Sequence, residues 1–138
     1  MRLLIDTNVI MDYIAKRQPF VDDACVIIKL CTKKYIDSCI SAHTITNLFF
    51  ILRKELSIEK RKSTLLKLTR LFTIVGIDNE KLISSLKNDE FDDLEDCLQY
   101  ECAKDFKADY IITRNTKDFE NSSVKAIEPK DFIAILNI

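Results

Sequence analysis

Short apolar runs alternate with longer amphipathic segments along the whole chain. The apolar runs predict strands over residues 3–5, 35–40, 72–77, 110–113 and 124–127. The segments between them carry apolar residues three and four positions apart, which is the spacing of one face of a helix. Strands that alternate with helices build a parallel sheet covered by helices on both faces. The pattern therefore predicts an α/β protein with three α/β/α layers and a mostly parallel central sheet of four to five strands.

Helices are predicted between the strands, over residues 8–15, 21–31, 80–86 and 92–107, and from Pro129 onward. Two more lie between the second and third strands. One begins at Ser41 or Thr44 and ends near residue 55, and the other follows a break at residues 56–57. Serine and threonine favour the first position of a helix because their side-chain oxygen accepts a hydrogen bond from a free backbone N–H. The helix after the break is expected to have four leucines on its apolar side: Leu65, Leu66, Leu68 and Leu71.

Composition adds that the chain is an ordinary globular protein. Its 138 residues are 47% hydrophobic and 31% charged, which is normal for a soluble domain. A chain of this length buries roughly 68–70% of the surface of its unfolded form. No repeat, linker or low-complexity segment interrupts it, so residues 1–138 are expected to form a single domain. No run of about 18 apolar residues and no signal-type leader occur, so we expect a cytoplasmic protein with no membrane segment.

Cysteine and glycine usage excludes two classes of site. The five cysteines form no CxxC pair, so we expect them to be small buried apolar residues in a reducing compartment. They are Cys25, Cys31, Cys39, Cys97 and Cys102. The single glycine, Gly76, argues against a P-loop or a GxGxxG site, because both need several glycines for phosphate to approach the backbone. The chemistry of this chain must therefore rest on side chains.

Acidic and small polar residues follow two of the predicted strands. Asp6 comes directly after the first strand, and Asp118 follows the fourth. Ligands of open parallel sheets bind beyond the carboxyl ends of the strands, so two acids there indicate a shared site for a hard divalent cation. Asp93 and Asp96, three residues apart on a predicted helix, can converge on the same ion.

Each of these acids also has a purely structural interpretation. Asp6 suits the first position of the helix that follows it. Asp93 and Asp96 suit a capped, acidic first turn, and Asp118 suits a turn. The residues by themselves leave both interpretations open.

The ordered set of motifs resembles the PIN domain, a metal-dependent nuclease fold found among the toxins of toxin–antitoxin systems. The resemblance covers essentially the whole chain and rests on four segments: Asp6-Thr7-Asn8, Arg17-Gln18-Pro19-Phe20 with Ala24, Asp93-x-x-Asp96, and residues 109–119. It implies a Mg²⁺ or Mn²⁺ ion bound by catalytic Asp6, Asp96 and Asp118, with Asp93 or Glu95 as an accessory acid. It also implies polar residues that support these ligands: Thr7, Asn8, Asn47, Thr113 and Asn115.

One position departs from the family. PIN domains usually carry a glutamate on the helix after the second strand, and Asn47 stands near that position. An amide removes one negative charge from the site, so the departure implies weaker metal binding. His43 lies on the same segment and is the one histidine of the chain. It has no second histidine or nearby cysteine at metal-binding spacing, so we expect it to cap or pack a helix start.

Charge is unevenly distributed along the chain. Residues 53–70 contain seven basic and two acidic residues, whereas residues 78–101 contain nine acidic and two basic residues. The simpler interpretation is two solvated helical faces of opposite sign. The alternative is an anionic substrate held beside a metal site. On that alternative, the residues expected to contact RNA phosphates are Arg114, Arg53, Lys54, Lys60, Arg61 and Lys62.

The leading hypothesis is a Mg²⁺- or Mn²⁺-dependent endoribonuclease that hydrolyses RNA phosphodiester bonds. Its expected partners are an RNA substrate, an antitoxin protein and a second copy of the chain. Because Asn47 stands in place of an acid, a second hypothesis is a PIN-like module that binds RNA or a protein without cutting RNA. A phosphohydrolase of small molecules is a third hypothesis, although Asp6 is followed by Thr7-Asn8 and lacks the second aspartate of aspartyl-phosphate chemistry.

Overall fold

The computed structural model describes residues 1–137 and confirms the predicted α/β class. The strands in this part of the chain are β1 (Arg2–Ile5), β2 (Asp37–Ser41), β3 (Thr73–Val75), β4 (Tyr110–Ile112) and β5 (Lys125–Ile127). The α-helices are α1 (Thr7–Ile14), α2 (Val21–Thr32), α3 (Ala42–Ile51), α4 (Ile58–Leu71), α5 (Asn79–Lys87), α6 (Leu94–Phe106) and α7 (Pro129–Leu136). Short 3₁₀ turns cover Leu52–Lys54 and Thr116–Phe119.

All five strands are parallel and lie in the order β3-β2-β1-β4-β5. The chain builds outward from β1 to β3 on one side and then crosses over to build β4 and β5 on the other. The strand order therefore reverses between β1 and β4, and such a reversal opens a crevice at the carboxyl ends of the strands. Ile5 pairs with Ile112. Asp6 and Thr113, the residues that follow these two, therefore lie side by side at this crevice.

Alternate residues of the central strands face different helical layers. Leu3 and Ile5 pack in the larger core with α1, α2, α3, α4 and α7, whereas Leu4 packs against α6 on the opposite face. In β4, Ile112 packs in the larger core and Ile111 packs on the opposite face. Successive side chains of a strand point to opposite faces, and burying each of these contributes roughly 1.5–3 kcal/mol. A shift of one residue would exchange the two faces, so the apolar pattern fixes the register that positions Asp6.

Several elements are shorter than the sequence predicts. The second strand begins at Asp37 rather than at Tyr35, and Tyr35 is 74% exposed. The helix expected to reach residue 55 ends at Ile51 and continues as the 3₁₀ turn. The prediction that Leu66 lies on the apolar side of α4 is wrong, because its side chain is 56% exposed.

Four of the five cysteines are buried as predicted, but Cys25 is exposed. Cys25 lies on α2 next to the buried Ala24, and the adjacent position of a helix points about 100° away from the core. Burial raises the pKa of the Cys31 thiol to about 11. No helix within residues 1–137 is both long enough and apolar enough to cross a lipid bilayer.

Candidate functional site

An open cavity of about 290 Å³ lies beyond the carboxyl ends of β1 and β4. The elements around it are the starts of α1 and α6 and the segment after β4. An adjoining cavity of about 330 Å³ shares the side chains of Asp93, Asp96 and Asp118 and extends the same acidic groove. The polar residues that line the first cavity are Asp6, Thr7, Asn8, Arg17, Asp93, Glu95, Asp96, Gln99, Asn115 and Asp118.

Asp6 is a buried carboxylate held by two hydrogen bonds. Its Oδ1 accepts from Gln99 Nε2 at 2.9 Å, and its Oδ2 accepts from Thr113 Oγ1 at 2.7 Å. Burial raises the pKa of Asp6, and these two hydrogen bonds lower it in part. The side chain makes no capping hydrogen bond to α1. Asp6 lines the cavity, and the backbone N–H groups of Thr7 and Asn8 at the start of α1 also lower its pKa.

Asp93 and Asp96 occupy the first turn of α6. Asp93 caps the helix, since its Oδ1 accepts a hydrogen bond from the backbone N–H of Asp96 at 3.0 Å, and it lines the cavity as well. Burial, and to a lesser extent the negative charges of Asp93, Asp6 and Asp118, raise the pKa of the Asp96 carboxyl to about 7. These carboxylates thus lie close enough to repel one another, and a cation between them would relieve the repulsion.

Gln99 belongs to the same site, although the sequence analysis missed it. Its side chain is 1% exposed, and its Nε2 donates to Asp6. Among residues 1–137, Oε1 of Gln99 finds no hydrogen-bond partner. A buried acceptor without a partner costs roughly 1–3 kcal/mol, so this oxygen is suited to a donor or a cation. The available signal was a glutamine one residue after the core leucine Leu98 and three residues after Asp96.

Thr113 organises the polar residues around Asp6. Its Oγ1 donates to Asp6 and accepts from Asn8 Nδ2 at 3.3 Å and from the backbone N–H of Asn115 at 3.0 Å. Thr7 Oγ1 lies 2.9 Å from Thr44 Oγ1 and joins α1 to α3. The hydrogen bonds connect the strand exits to the first turns of the helices, so the orientation of the Asp6 carboxylate is defined from several sides.

Asn47 contacts Glu95, and Glu95 lines the cavity. Its Nδ2 donates to Glu95 Oε1 at 2.7 Å, and His43 Nε2 lies 3.5 Å from Glu95 Oε2. His43 does not cap the start of α3. Ser41 caps α3 by accepting from the backbone N–H of Thr44, and the His43 side chain is partly exposed beside Glu95.

Two of the predicted RNA-binding residues already have partners inside the protein, and their contact with RNA stays a prediction. Arg114 donates to both carboxylate oxygens of Asp12, at 2.6 and 3.2 Å, and stacks on Phe20, beside a separate cavity of about 210 Å³. Arg61 is buried and donates to the backbone carbonyl of Phe49 at 2.8 Å. Arg53, Lys54, Lys60 and Lys62 are exposed, and their contact with RNA stays a prediction.

The donor set fits a hard divalent cation. No three His, Cys, Asp or Glu side chains within residues 1–137 are already close enough together to hold an ion. The oxygens of Asp6, Asp96 and Gln99 nevertheless match Mg²⁺ and Mn²⁺ in chemistry. Magnesium usually keeps several waters and binds through only one or two carboxylates. A cation would offset the repulsion among the acids and would give the Gln99 oxygen, which has no partner among residues 1–137, a ligand to bind.

The fold is similar to that of three solved structures. VapBC2 from Rickettsia felis, bound to a DNA fragment from their promoter, is 20% identical, with 93% of this chain and 98% of that chain covered and a TM-score of 0.68. A toxin–antitoxin complex from Klebsiella pneumoniae is 21% identical, with 92% and 97% covered and a TM-score of 0.68. FitAcB from Neisseria gonorrhoeae is 21% identical, with 93% and 98% covered and a TM-score of 0.66. At these identities the likeness shows the fold alone.

Sequence comparison is decisive about the family. Comparison with curated protein sequences gave no match. A family model for the PIN domain matches residues 2–117. The matched stretch begins in β1, contains Asp6, Asp93 and Asp96, and ends one residue before Asp118. Because the match spans most of its length, this chain belongs to the PIN-domain family.

Proposed function

We propose that the protein is a Mg²⁺- or Mn²⁺-dependent endoribonuclease that hydrolyses RNA phosphodiester bonds. The observation that carries the proposal is the cavity lined by Asp6, Asp96, Asp118 and Gln99, in which Oε1 of Gln99 has no hydrogen-bond partner among residues 1–137. These three aspartates would hold the cation, with Asp93 as an accessory acid. A cation held there would supply an activated water and would stabilise the charge on the phosphate oxygens.

The protein's own contribution is to orient the Asp6 carboxylate and to offset part of the effect of burial on its pKa. Thr113 and Gln99 each donate to a different oxygen of Asp6, and donated hydrogen bonds favour the ionised form of a carboxylate. They also leave the Asp6 side chain few alternative orientations. Asn8 and Asn115 in turn hold Thr113, so residues around the cation ligands define the geometry before RNA arrives.

Arg17 is suited to contact a phosphate of the substrate. Within residues 1–137, Arg17 is the one basic side chain that lines the first cavity, the one that contains Asp6. Its side chain is 43% exposed. Its nearest acidic oxygen, on Asp12, is 3.9 Å away, and both oxygens of Asp12 already accept from Arg114. The guanidinium of Arg17 therefore keeps donors for a phosphate, which it can bind with two parallel hydrogen bonds.

Asp6→Asn tests the proposed activity. The variant should fold, because Thr113 can still donate to the asparagine oxygen while the Gln99 amide turns over and accepts from the asparagine nitrogen. It should nevertheless lose Mn²⁺-stimulated cleavage of a fluorescently labelled structured RNA. Asp22→Asn, an exposed aspartate of α2, serves as the matched control and should cut normally. Full cleavage by Asp6→Asn would refute its assigned role.

The same assay separates the other hypotheses. A wild-type chain that binds RNA but shows no cleavage at any Mn²⁺ concentration would favour the PIN-like binding module. Faster hydrolysis of generic phosphomonoesters than of RNA would favour the small-molecule phosphohydrolase.

Arg17→Gln tests the phosphate contact. Measured in the Asp6→Asn background by fluorescence anisotropy, it should weaken RNA binding and reduce the salt slope of log K by about 1. Lys29→Gln, an exposed lysine on α2, is the control and should leave both quantities unchanged. An unchanged salt slope in Arg17→Gln would exclude a contact between Arg17 and a phosphate.

We also propose an antitoxin protein as a partner. One of the similar structures is a toxin–antitoxin complex, and 92% of this chain is covered in that comparison. Expression of the chain alone should then arrest growth, and Asp6→Asn should not. Growth arrest by both proteins would contradict a toxin that acts through this site. A second copy of the chain stays a prediction, which sedimentation velocity can check.

A further inference from the structure

Helix α3 borders the acidic cavity without contributing a carboxylate of its own. Ile51 of α3 lines the cavity, and the sequence of the helix contains no aspartate or glutamate. Two of its polar side chains, Asn47 and His43, instead approach the carboxylate of Glu95 on α6. The negative charge on this side of the cavity is therefore supplied by the opposite helix.

The two contacts hold different oxygens of Glu95. Asn47 Nδ2 donates to Oε1 at 2.7 Å, and His43 Nε2 lies 3.5 Å from Oε2. An ionised carboxylate has about four lone-pair positions, so these contacts leave Glu95 able to bind a cation. A free glutamate side chain samples several rotamers, and fixing it in advance reduces the entropic cost of binding.

We infer that Glu95 is a further ligand of the cation and that Asn47 and His43 are positioning residues that hold it at the cavity. The inference rests on the proposed function, since it adds a ligand to the cation held by Asp6, Asp96 and Asp118. A second observation points to a ligand at this place. Oε1 of Gln99, which is buried and has no partner among residues 1–137, belongs to a residue four positions after Glu95, on the same side of α6.

The chemistry of position 47 supports an amide rather than an acid. An aspartate there would face the Glu95 carboxylate at hydrogen-bond distance, and two carboxylates that close cannot both ionise readily. Asparagine has the same shape, carries no charge and donates the hydrogen bond. Asn47→Asp should therefore weaken Mn²⁺ binding, whereas a site that merely lacks an acid on α3 would bind Mn²⁺ more tightly after this substitution.

Calorimetric titration of Mn²⁺ into the purified full chain tests the inference without relying on activity. Glu95→Gln should bind about 10- to 100-fold more weakly and Asn47→Ala about tenfold more weakly. The double variant should be no weaker than Glu95→Gln alone, because Asn47 acts through Glu95. Glu55→Gln, an exposed glutamate after α3, is the control and should match the wild type.

The folding of each variant is checked by thermal unfolding. Glu95→Gln is isosteric and keeps an oxygen that accepts from Asn47, so it should unfold at the wild-type temperature. Wild-type Mn²⁺ affinity in Glu95→Gln, or tighter binding in Asn47→Asp, would overturn the inference. If Asp6→Asn still abolished Mn²⁺ binding in that case, the proposed function would stand. A wild-type chain that binds no Mn²⁺ would overturn both.

Discussion

Asp96→Asn is expected to stabilise the metal-free protein at pH 8 much more than at pH 5. Burial and the charges of Asp93, Asp6 and Asp118 raise the pKa of Asp96 from 3.8 to about 7. The folded chain therefore keeps a proton that the unfolded chain releases between about pH 4 and pH 7. Because the folded state binds more protons in this window, the free energy of unfolding of the wild type falls as pH rises through it.

The size of the effect follows from the pKa difference. Each pKa unit corresponds to about 1.4 kcal/mol, so the rise from 3.8 to about 7 corresponds to about 4 kcal/mol. Asp96 is only half-buried, and screening by solvent reduces this to about 2 kcal/mol. Asparagine carries no charge to desolvate, and within residues 1–137 the Asp96 carboxylate accepts no hydrogen bond that the substitution would remove. The backbone N–H of residue 96 still donates to Asp93.

Urea unfolding in EDTA at pH 5 and pH 8 measures this difference. The gain of Asp96→Asn over the wild type should grow by roughly 1 kcal/mol between the two pH values, because the rest of the effect already develops below pH 5, and the dependence on urea should be unchanged. Asp22→Asn, which changes an exposed acid, should show no such growth. The same pH dependence in the wild type and in Asp96→Asn would refute the reasoning. Mg²⁺ added at pH 8 should stabilise the wild type, because bound cations favour the folded state.

Three further substitutions or reactions probe the rest of the molecule. Asp12→Asn should destabilise the protein by about 3 kcal/mol in urea unfolding, because Asp12 is 1% exposed and pairs with Arg114; unchanged stability would contradict this. Leu48→Ala should cost about 2–5 kcal/mol, since Leu48 is completely buried, and a smaller loss would mean that the core collapses around the gap. Ellman's reagent should modify Cys25 rapidly in the folded protein and all five cysteines in urea; a second fast thiol would show that one of the four buried cysteines is not protected.

The fold was largely predictable because its main signals are local. Buried strands alternate residue by residue and helices bury every third or fourth residue, so both patterns can be read without knowing the partners. The ends of the elements were less predictable. The second strand starts at Asp37 because Arg2 of β1 pairs there, and no local pattern around Tyr35 contains that information.

Some residues of the candidate site were predictable from the sequence, and others were not. Asp6 could be placed from the strand that precedes it, since a parallel strand delivers its last residue to one edge of the sheet. Arg61 and Arg114 could not be separated from the exposed basic residues, because their partners Phe49 and Asp12 lie 12 and 102 residues away in sequence. A positive charge in a sequence does not reveal whether its donors are already used.

The sequence by itself determined the α/β class, the ends of the strands and the acids that follow those ends, because each of these features depends on neighbouring residues. Only the tertiary structure decided which side chains complete the site. Gln99 meets Asp6 across 93 residues, and Asn47 meets Glu95 across 48. Hydrogen bonds extend only about 3 Å, so such contacts exist only after the sheet has brought α3 and α6 to the same edge as β1.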